Sequence, residues 1–184
     1  MTDLLKLAER CEGSKAIISP CGQYRYRLER DTGTIGGITA VIMVNPSTAD
    51  ATQDDATIRK LKGFGVRKLW GRILVGNLFA YRATDVRELG MCADPIGPSN
   101  DAELARIARE ADQVVYAWGP ATKQPKAHRE RWSVVDRIFR DHGHSPLCIG
   151  EPAKCGHPKH PLMLAYDLPI IRWAALRARS ASDE

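Results

Sequence analysis

The sequence predicts one α/β domain spanning residues 1–184: a three-layer sandwich in which a central, mostly parallel four-stranded sheet is covered by helices on both faces. An antiparallel edge strand or hairpin is expected on its N-terminal side. Three observations predict this class. Four short runs, 38–44, 73–78, 114–118 and 147–150, have the length and near-continuous hydrophobicity of strands buried on both faces. Between them lie segments whose apolar residues recur at helical spacing. Alternation of strand and helix in turn favours parallel pairing through helical crossovers. A chain of 184 residues, 43% hydrophobic and 27% charged, can bury one core of ordinary size.

Residues 1–23 form a lead-in: 3–10 read as a short helix with Leu4, Leu7 and Ala8 on one side, and 21–23 as a turn. In 24–29 apolar and charged residues alternate strictly, the period of a strand with one face in water, hence an edge strand or hairpin arm. Three glycines in 31–37 turn the chain into the central strand 38–44. Asp54 or Asp55 then caps a helix in which Ile58 and Leu61 sit three apart, ending near Gly63 or Gly65. After the strand 73–78, Asp94-Pro95-Ile96-Gly97-Pro98 makes a rigid connection, and Ser99 or Asn100 caps a helix carrying Leu104, Ile107, Ala108 and Ala111. The strand 114–118 leads to a helix with Trp132, Val135, Ile138 and Phe139 on one face and Gly143 past its end. The strand 147–150 completes the sheet, and 174–184 is a polar tail.

Several classes are excluded. The longest apolar runs, 40–44 and 73–75, fall far short of the roughly 20 residues of a membrane helix, so no membrane partner is expected. Residues 1–6 lack the basic patch and apolar stretch of a secretion signal, and a cytoplasmic location follows. Five scattered cysteines, an odd number, read as free thiols. The net charge of +5 and pI of about 9.0 permit a polyanionic partner. Its basic clusters (Arg25, Arg27 and Arg30; 59–72; 123–131) can neutralise phosphates or form solvated faces. The glycine-rich phosphate loop, the dinucleotide fingerprint and the esterase elbow are all missing. Cys148, Cys155, His157 and His160 match no common zinc spacing, and Cys148 lies within a predicted strand, so neither metal nor cofactor is expected.

In open sheets of this kind ligands bind at the carboxyl ends of the strands, which selects 45–55, 77–85, 119–126 and 151–161. The first opens on Asn45-Pro46-Ser47 and continues through Thr48, Asp50, Thr52, Asp54 and Asp55, either a turn with a helix cap or a site. The second sets Asn77 before Phe79, Tyr81, Arg82, Thr84 and Asp85. Rings beside Asn and Arg suit stacking on a base and bonding its edge, or a core Phe beside a helix cap. His157 and His160 in the fourth can face an anionic leaving group or a phosphate.

Five segments carry a resemblance: Val44-Asn45-Pro46-Ser47-Thr48-Ala49-Asp50, Asn77-Leu78-Phe79-Ala80-Tyr81-Arg82-Ala83-Thr84-Asp85, Asp94-Pro95-Ile96-Gly97-Pro98, Ala117-Trp118-Gly119 and His157-Pro158-Lys159-His160-Pro161-Leu162. Together they resemble domain-of-unknown-function family 1643, found in bacteria and their phages, over about residues 24–165. More distantly, the same segments in the same order are similar to the uracil-DNA glycosylase superfamily. Asn45-Pro46 resembles the Asn-Pro-Gly loop of the mismatch-specific branch, Asn77 the base-reading Asn, Ala117-Trp118-Gly119 a Leu-Trp-Gly turn, and His157-Pro158 or His160-Pro161 the final His-Pro loop.

That likeness implies a uracil-DNA glycosylase-like fold and a DNA glycosylase of repair or modification, which takes a nucleotide out of the stack and breaks its N-glycosidic bond. It implies that Asn45, helped by Asp50, positions water in the Pro46-Ser47 loop, and that Asn77 bonds the base edge. Phe79 or Tyr81 would stack beside Trp118, His157 or His160 would stabilise the departing base, and Arg82 and Lys159 would meet phosphate. The first loop lacks the Asp and the methyl-excluding aromatic of the uracil enzymes, and Lys159 and Leu162 replace the final Ser, so a modified base is among the expected substrates. Two further classes stand beside this one. One is a non-catalytic binder of nucleic acid, DNA rather than RNA, or of a free nucleotide. The other is a metal-dependent hydrolase using Asp50, Asp54, Asp55 and the histidines.

Overall fold

A computed structural model describes residues 14–47 and 53–174. The lead-in helix 3–10, Asp50 with its neighbours 48–52, and the polar tail beyond Ala174 lie outside the described residues. In chain order the elements are β1 (Ser14–Ile18), β2 (Arg25–Asp31), β3 (Ile38–Met43), α1 (Ala56–Lys68), β4 (Arg72–Asn77), α2 (Val86–Met91), α3 (Asn100–Glu110), β5 (Gln113–Tyr116), α4 (Arg131–Asp141), β6 (Leu147–Ile149) and β7 (Ile170–Arg172). The sheet runs β1-β2-β4-β3-β5-β6-β7. The pairs β3–β4, β3–β5 and β5–β6 are parallel, while β1–β2, β2–β4 and β6–β7 are antiparallel.

The domain is therefore α/β with a mixed sheet of seven strands and, among the described residues, four α-helices. The two strands not foreseen lie at the edges. β1 and β7 are short and pair antiparallel with a neighbour already in place, so neither needs a long apolar run of its own. Among the described residues no helix is long and apolar enough to cross a membrane.

The alternating strand departs most from its pattern. β2 is not an edge: it lies between β1 and β4, and its first six residues are buried, charged ones included. The charges are matched rather than hydrated. Arg27 Nε stands 3.0 Å from Glu29, and its Nη1 donates to Glu110 of α3 at 2.8 Å and to Glu103 of the same helix at 3.5 Å. Arg30 Nε donates to Asp54 at 2.6 Å. A period of two locates the charged face of a strand without saying whether water or a charged helix covers it.

Helices cover both faces. On one, Ile58, Leu61 and Phe64 of α1 pack against Val41, Met43, Ile73 and Val75. On the other, Leu104, Ile107 and Ala108 of α3 and Val135 and Phe139 of α4 pack against Ala40, Ile42, Leu74 and Tyr116. Gly63 and Gly65 do not end α1, which continues to Lys68 and stops at Leu69 in the left-handed conformation (φ 56°). A Cβ at Gly63 would come within 2.5 Å of the Tyr166 hydroxyl, and one at Gly65 within 2.5 Å of Thr32, so both glycines are there for close packing.

Candidate functional site

A cavity of about 370 Å³ opens where β3, β4 and β5 end and the loop after β6 returns. That is the carboxyl-end crevice expected of such a sheet, and its size lies within the roughly 300–1,000 Å³ of small-molecule sites. Met43, Val44, Val75, Ala83, Trp118 and Pro120 give it mainly apolar walls. Into these converge a few polar side chains, among them Asn45, Ser47, Asn77, Thr84 and His160.

Asn77 is the last residue of β4, opposite Met43 of β3. It is only 1% exposed, yet neither its amide nitrogen nor its amide oxygen has a hydrogen-bond partner among the described residues. Such a group costs roughly 1–3 kcal/mol unless something enters to satisfy it. The backbone around it, by contrast, is held from several sides. Leu78 N–H donates to Met43 O at 2.9 Å, and Phe79 N–H to Val44 O at 3.0 Å. The buried Asn100 amide donates to both Asn77 O and Leu78 O at 3.1 Å, and Arg131 Nε donates to Leu78 O at 3.0 Å. Arg131 is in turn ion-paired with Asp101. The sequence marks Ser99 or Asn100 as a cap; Ser99 occupies that position without a side-chain bond, while Asn100 ties down the end of β4.

The Asn45 amide is oriented by two carbonyls, donating to Ala83 O at 2.7 Å and to Pro46 O at 3.1 Å. Ala83 N–H returns a bond to Pro46 O at 3.1 Å. With both amide hydrogens engaged, the face Asn45 offers a ligand is its oxygen, an acceptor. The turn is thus stitched to the loop after β4, and the structural and functional readings of Asn45 are compatible.

The two histidines separate. His160 lies on the cavity wall, and its Nδ1 accepts from Leu162 N–H at 3.3 Å. Burial pushes its pKa below the ordinary histidine value, opposed by the Asp55 carboxylate. The neutral ring then carries its proton on Nε2 and acts as a donor. His157 is turned away from the cavity: its Nδ1 accepts from the Trp118 indole at 3.0 Å, and its ring packs edge-on to Trp132 at 5.6 Å. Burial lowers its pKa as well, against the pull of Glu130. Gly119, at φ +80°, lets the loop after β5 pass close to His160, whose Cβ would lie 3.4 Å from an added Cβ.

Of the carboxylates, Asp55 reaches the cavity wall while its Oδ1 caps α1 by accepting from Ile58 N–H at 2.8 Å. Asp54 is committed elsewhere. Burial raises its pKa, but hydrogen bonds from Arg30 and Lys62 at 2.6 and 3.0 Å outweigh this and hold it below the usual carboxylate value. Among the described residues no group of three His, Cys, Asp or Glu side chains could hold a metal ion. Cys148 is buried and Cys155 exposed, both as free thiols.

Asn45, Ser47, Asn77, Trp118 and His160 thus share one cavity, with Pro46 buried beside it and bonded through its carbonyl. Phe79 is not there: it is fully buried in the core, edge-on to His128 at 6.0 Å. Tyr81 and Arg82 line an adjoining groove, Lys159 is exposed and lines neither, and Asp50 lies outside the described residues. Arg25, which the sequence shows only as part of a basic cluster, is 2% exposed and on the cavity wall, a place hidden by the alternation of β2, which points its charge to water. Thr84 stands in the segment that the sequence marks after Asn77, whereas Thr57, in the first turn of α1, carries no such signal.

A family model described as "Protein of unknown function (DUF1643)" matches residues 25–162, a span containing every described residue of the cavity wall. No curated protein and no solved structure matches the chain.

Proposed function

Since the chain belongs to the DUF1643 family of unknown function, its activity has to be read from its own site, and we propose that it recognises a nucleobase in DNA and cleaves its N-glycosidic bond. The observation that carries the reading is the buried amide of Asn77, without a hydrogen-bond partner among the described residues, on the wall of a mainly apolar cavity. An amide side by side with its own carbonyl matches the adjacent donor and acceptor on the edge of a base, and apolar walls beside the Trp118 ring suit a planar heterocycle. The order of loops along the chain, similar to that of the uracil-DNA glycosylase superfamily, points the same way.

In this reading Asn77 bonds the base edge. The Asn45 oxygen, with Asp50, accepts a hydrogen from water and aims its oxygen at C1′ of the sugar. The bond from C1′ to the base nitrogen breaks as the water oxygen bonds C1′, the electron pair leaves with the base, the water's proton passes to solvent, and the departing base anion takes up a proton from solvent to leave as the neutral base. Neutral His160 donates Nε2–H to the charge developing on that base.

A second reading, nucleobase binding without cleavage, is favoured by one observation. Among the described residues the only carboxylate on the cavity wall is Asp55, and it serves as a helix cap. Incubation with single- and double-stranded oligonucleotides carrying normal and modified bases separates the two. Release of one base by the wild type, lost in Asn45→Ala, supports the glycosylase; retained binding without release supports the binder. If no base is either bound or released, both readings fail.

A further inference from the structure

Arg25 stands on the cavity wall because β2 is bulged. Residues two apart in an unbroken strand share a face of the sheet. Arg27 reaches Glu103 and Glu110 of α3, yet Arg25, two residues earlier, lines the cavity with Met43, Val75 and Ile58, which belong to the face covered by α1. The register with β1 accounts for the change of face: Ile17 pairs with Arg27 and Ile18 with Arg25, so Tyr26 is an extra residue in β2. A bulge of this kind re-aims a side chain. Here it takes a guanidinium away from the acidic side of α3 and brings it, 2% exposed, to a mainly apolar cavity. An apolar residue would be the cheaper occupant of that place, since a buried cation loses its hydration.

The Asn77 amide lines the same cavity. The two side chains come to it from neighbouring antiparallel strands, Arg25 at the start of β2 and Asn77 at the end of β4. Their hydrogen-bonding patterns differ. Asn77 offers a donor beside an acceptor. A guanidinium has only donors, five N–H groups in a fixed fork, so a contact with the protein at one edge leaves another for a ligand. A base that suits both has a donor–acceptor edge next to an edge of two acceptors. In the 6-oxopurines these are two different edges, N1–H with O6 and O6 with N7, the second being the pair that an arginine fork binds. In cytosine the two patterns compete for N3, and uracil, thymine and adenine have no adjacent pair of acceptors.

We propose that Arg25 determines the specificity of the cavity, its fork donating to O6 and N7 of a 6-oxopurine while Asn77 bonds N1–H and O6. The substrate class is then a 6-oxopurine, not a pyrimidine. The electron pair that leaves with such a base spreads onto the ring that holds N7, so the contact strengthens as the glycosidic bond breaks. This rests on the nucleobase reading above, and its failure is separable from the failure of that reading.

The test uses oligonucleotides identical except for one base: hypoxanthine, guanine, the 7-deaza analogue of each, adenine, uracil, thymine or cytosine. Binding is read by fluorescence anisotropy and release by mass spectrometry. Replacing N7 by C–H removes one acceptor from the reach of the fork and leaves the N1–H and O6 edge in place. The wild type is expected to prefer a 6-oxopurine and to bind its 7-deaza analogue about tenfold more weakly. In Arg25→Met the two should bind alike, while Arg25→Lys, which keeps the charge without the fork, retains a smaller ratio. Equal wild-type affinity for the 6-oxopurine and its 7-deaza analogue, a ratio that survives in Arg25→Met, or a preference for adenine or a pyrimidine overturns the inference while leaving the nucleobase reading intact. The 7-deaza comparison needs no variant, so it decides the matter whether or not Arg25→Met folds. If no base is bound or released, the nucleobase reading falls and this inference with it.

Discussion

Replacing Asn77 by leucine, a side chain of similar size without polar atoms, should make the protein more stable. Both amide atoms of Asn77 are buried without a partner among the described residues, and each such atom costs roughly 1–3 kcal/mol. Because the side chain borders a cavity that water can enter, part of that cost is relieved, and the expected gain is about 1–3 kcal/mol in all. For a chain of this size it corresponds to a rise in melting temperature of roughly 2–4 °C for each kcal/mol. Asn100→Leu supplies the contrast. Asn100 is equally buried and its Oδ1 also lacks a partner among the described residues, but its amide nitrogen donates two bonds at 3.1 Å to the carbonyls that end β4, so its loss should on balance destabilise by about 1–2 kcal/mol. Urea unfolding followed by tryptophan fluorescence measures both. A loss of more than about 1 kcal/mol in Asn77→Leu would refute the reasoning, since it would mean that the amide is satisfied in the free protein and serves the fold.

Two other predictions concern charge. Arg27→Met should cost about 1–3 kcal/mol in urea unfolding, because the buried Glu29 and Glu103 are left only the more exposed Arg72 and Arg106 as cations; a loss well below about 1 kcal/mol would mean that those two or water already compensate β2. His160 has a folded pKa below the ordinary value of about 6.5, so between the two values the unfolded chain binds more protons and stability falls as pH drops below about 6.5. His160→Gln should therefore gain on the wild type when unfolding is compared at pH 7.5 and pH 5, and a constant difference would contradict the shift.

Much of the frame could be read from local pattern. The continuous apolar runs locate β3 to β6, and the segments that the carboxyl-end rule selects include Asn45, Ser47, Asn77 and His160, which share one cavity with Trp118 at the end of the predicted strand 114–118. What could not be read depends on partners distant in sequence. The alternation in β2 cannot tell solvent from the acidic face of α3, 76 and 83 residues away, so a strand covered on both sides looks like an edge. Gly63 and Gly65 look like a helix end because the side chains that require them, Tyr166 and Thr32, lie far along the chain. Phe79 follows Asn77 by two residues, yet the chain has left the strand and its ring turns into the core. His157 and His160 are interchangeable as residue types; only the Trp118 indole, bonded to His157, separates them.

The most direct measurement sets wild type and Asn77→Leu side by side on oligonucleotides carrying a panel of normal and modified bases, with bound and released base quantified by mass spectrometry. The wild type is expected to bind or release one base class, and Asn77→Leu to do neither while unfolding at a higher urea concentration. A wild type that engages no base, or an Asn77→Leu protein that engages the same base as well, would contradict that expectation.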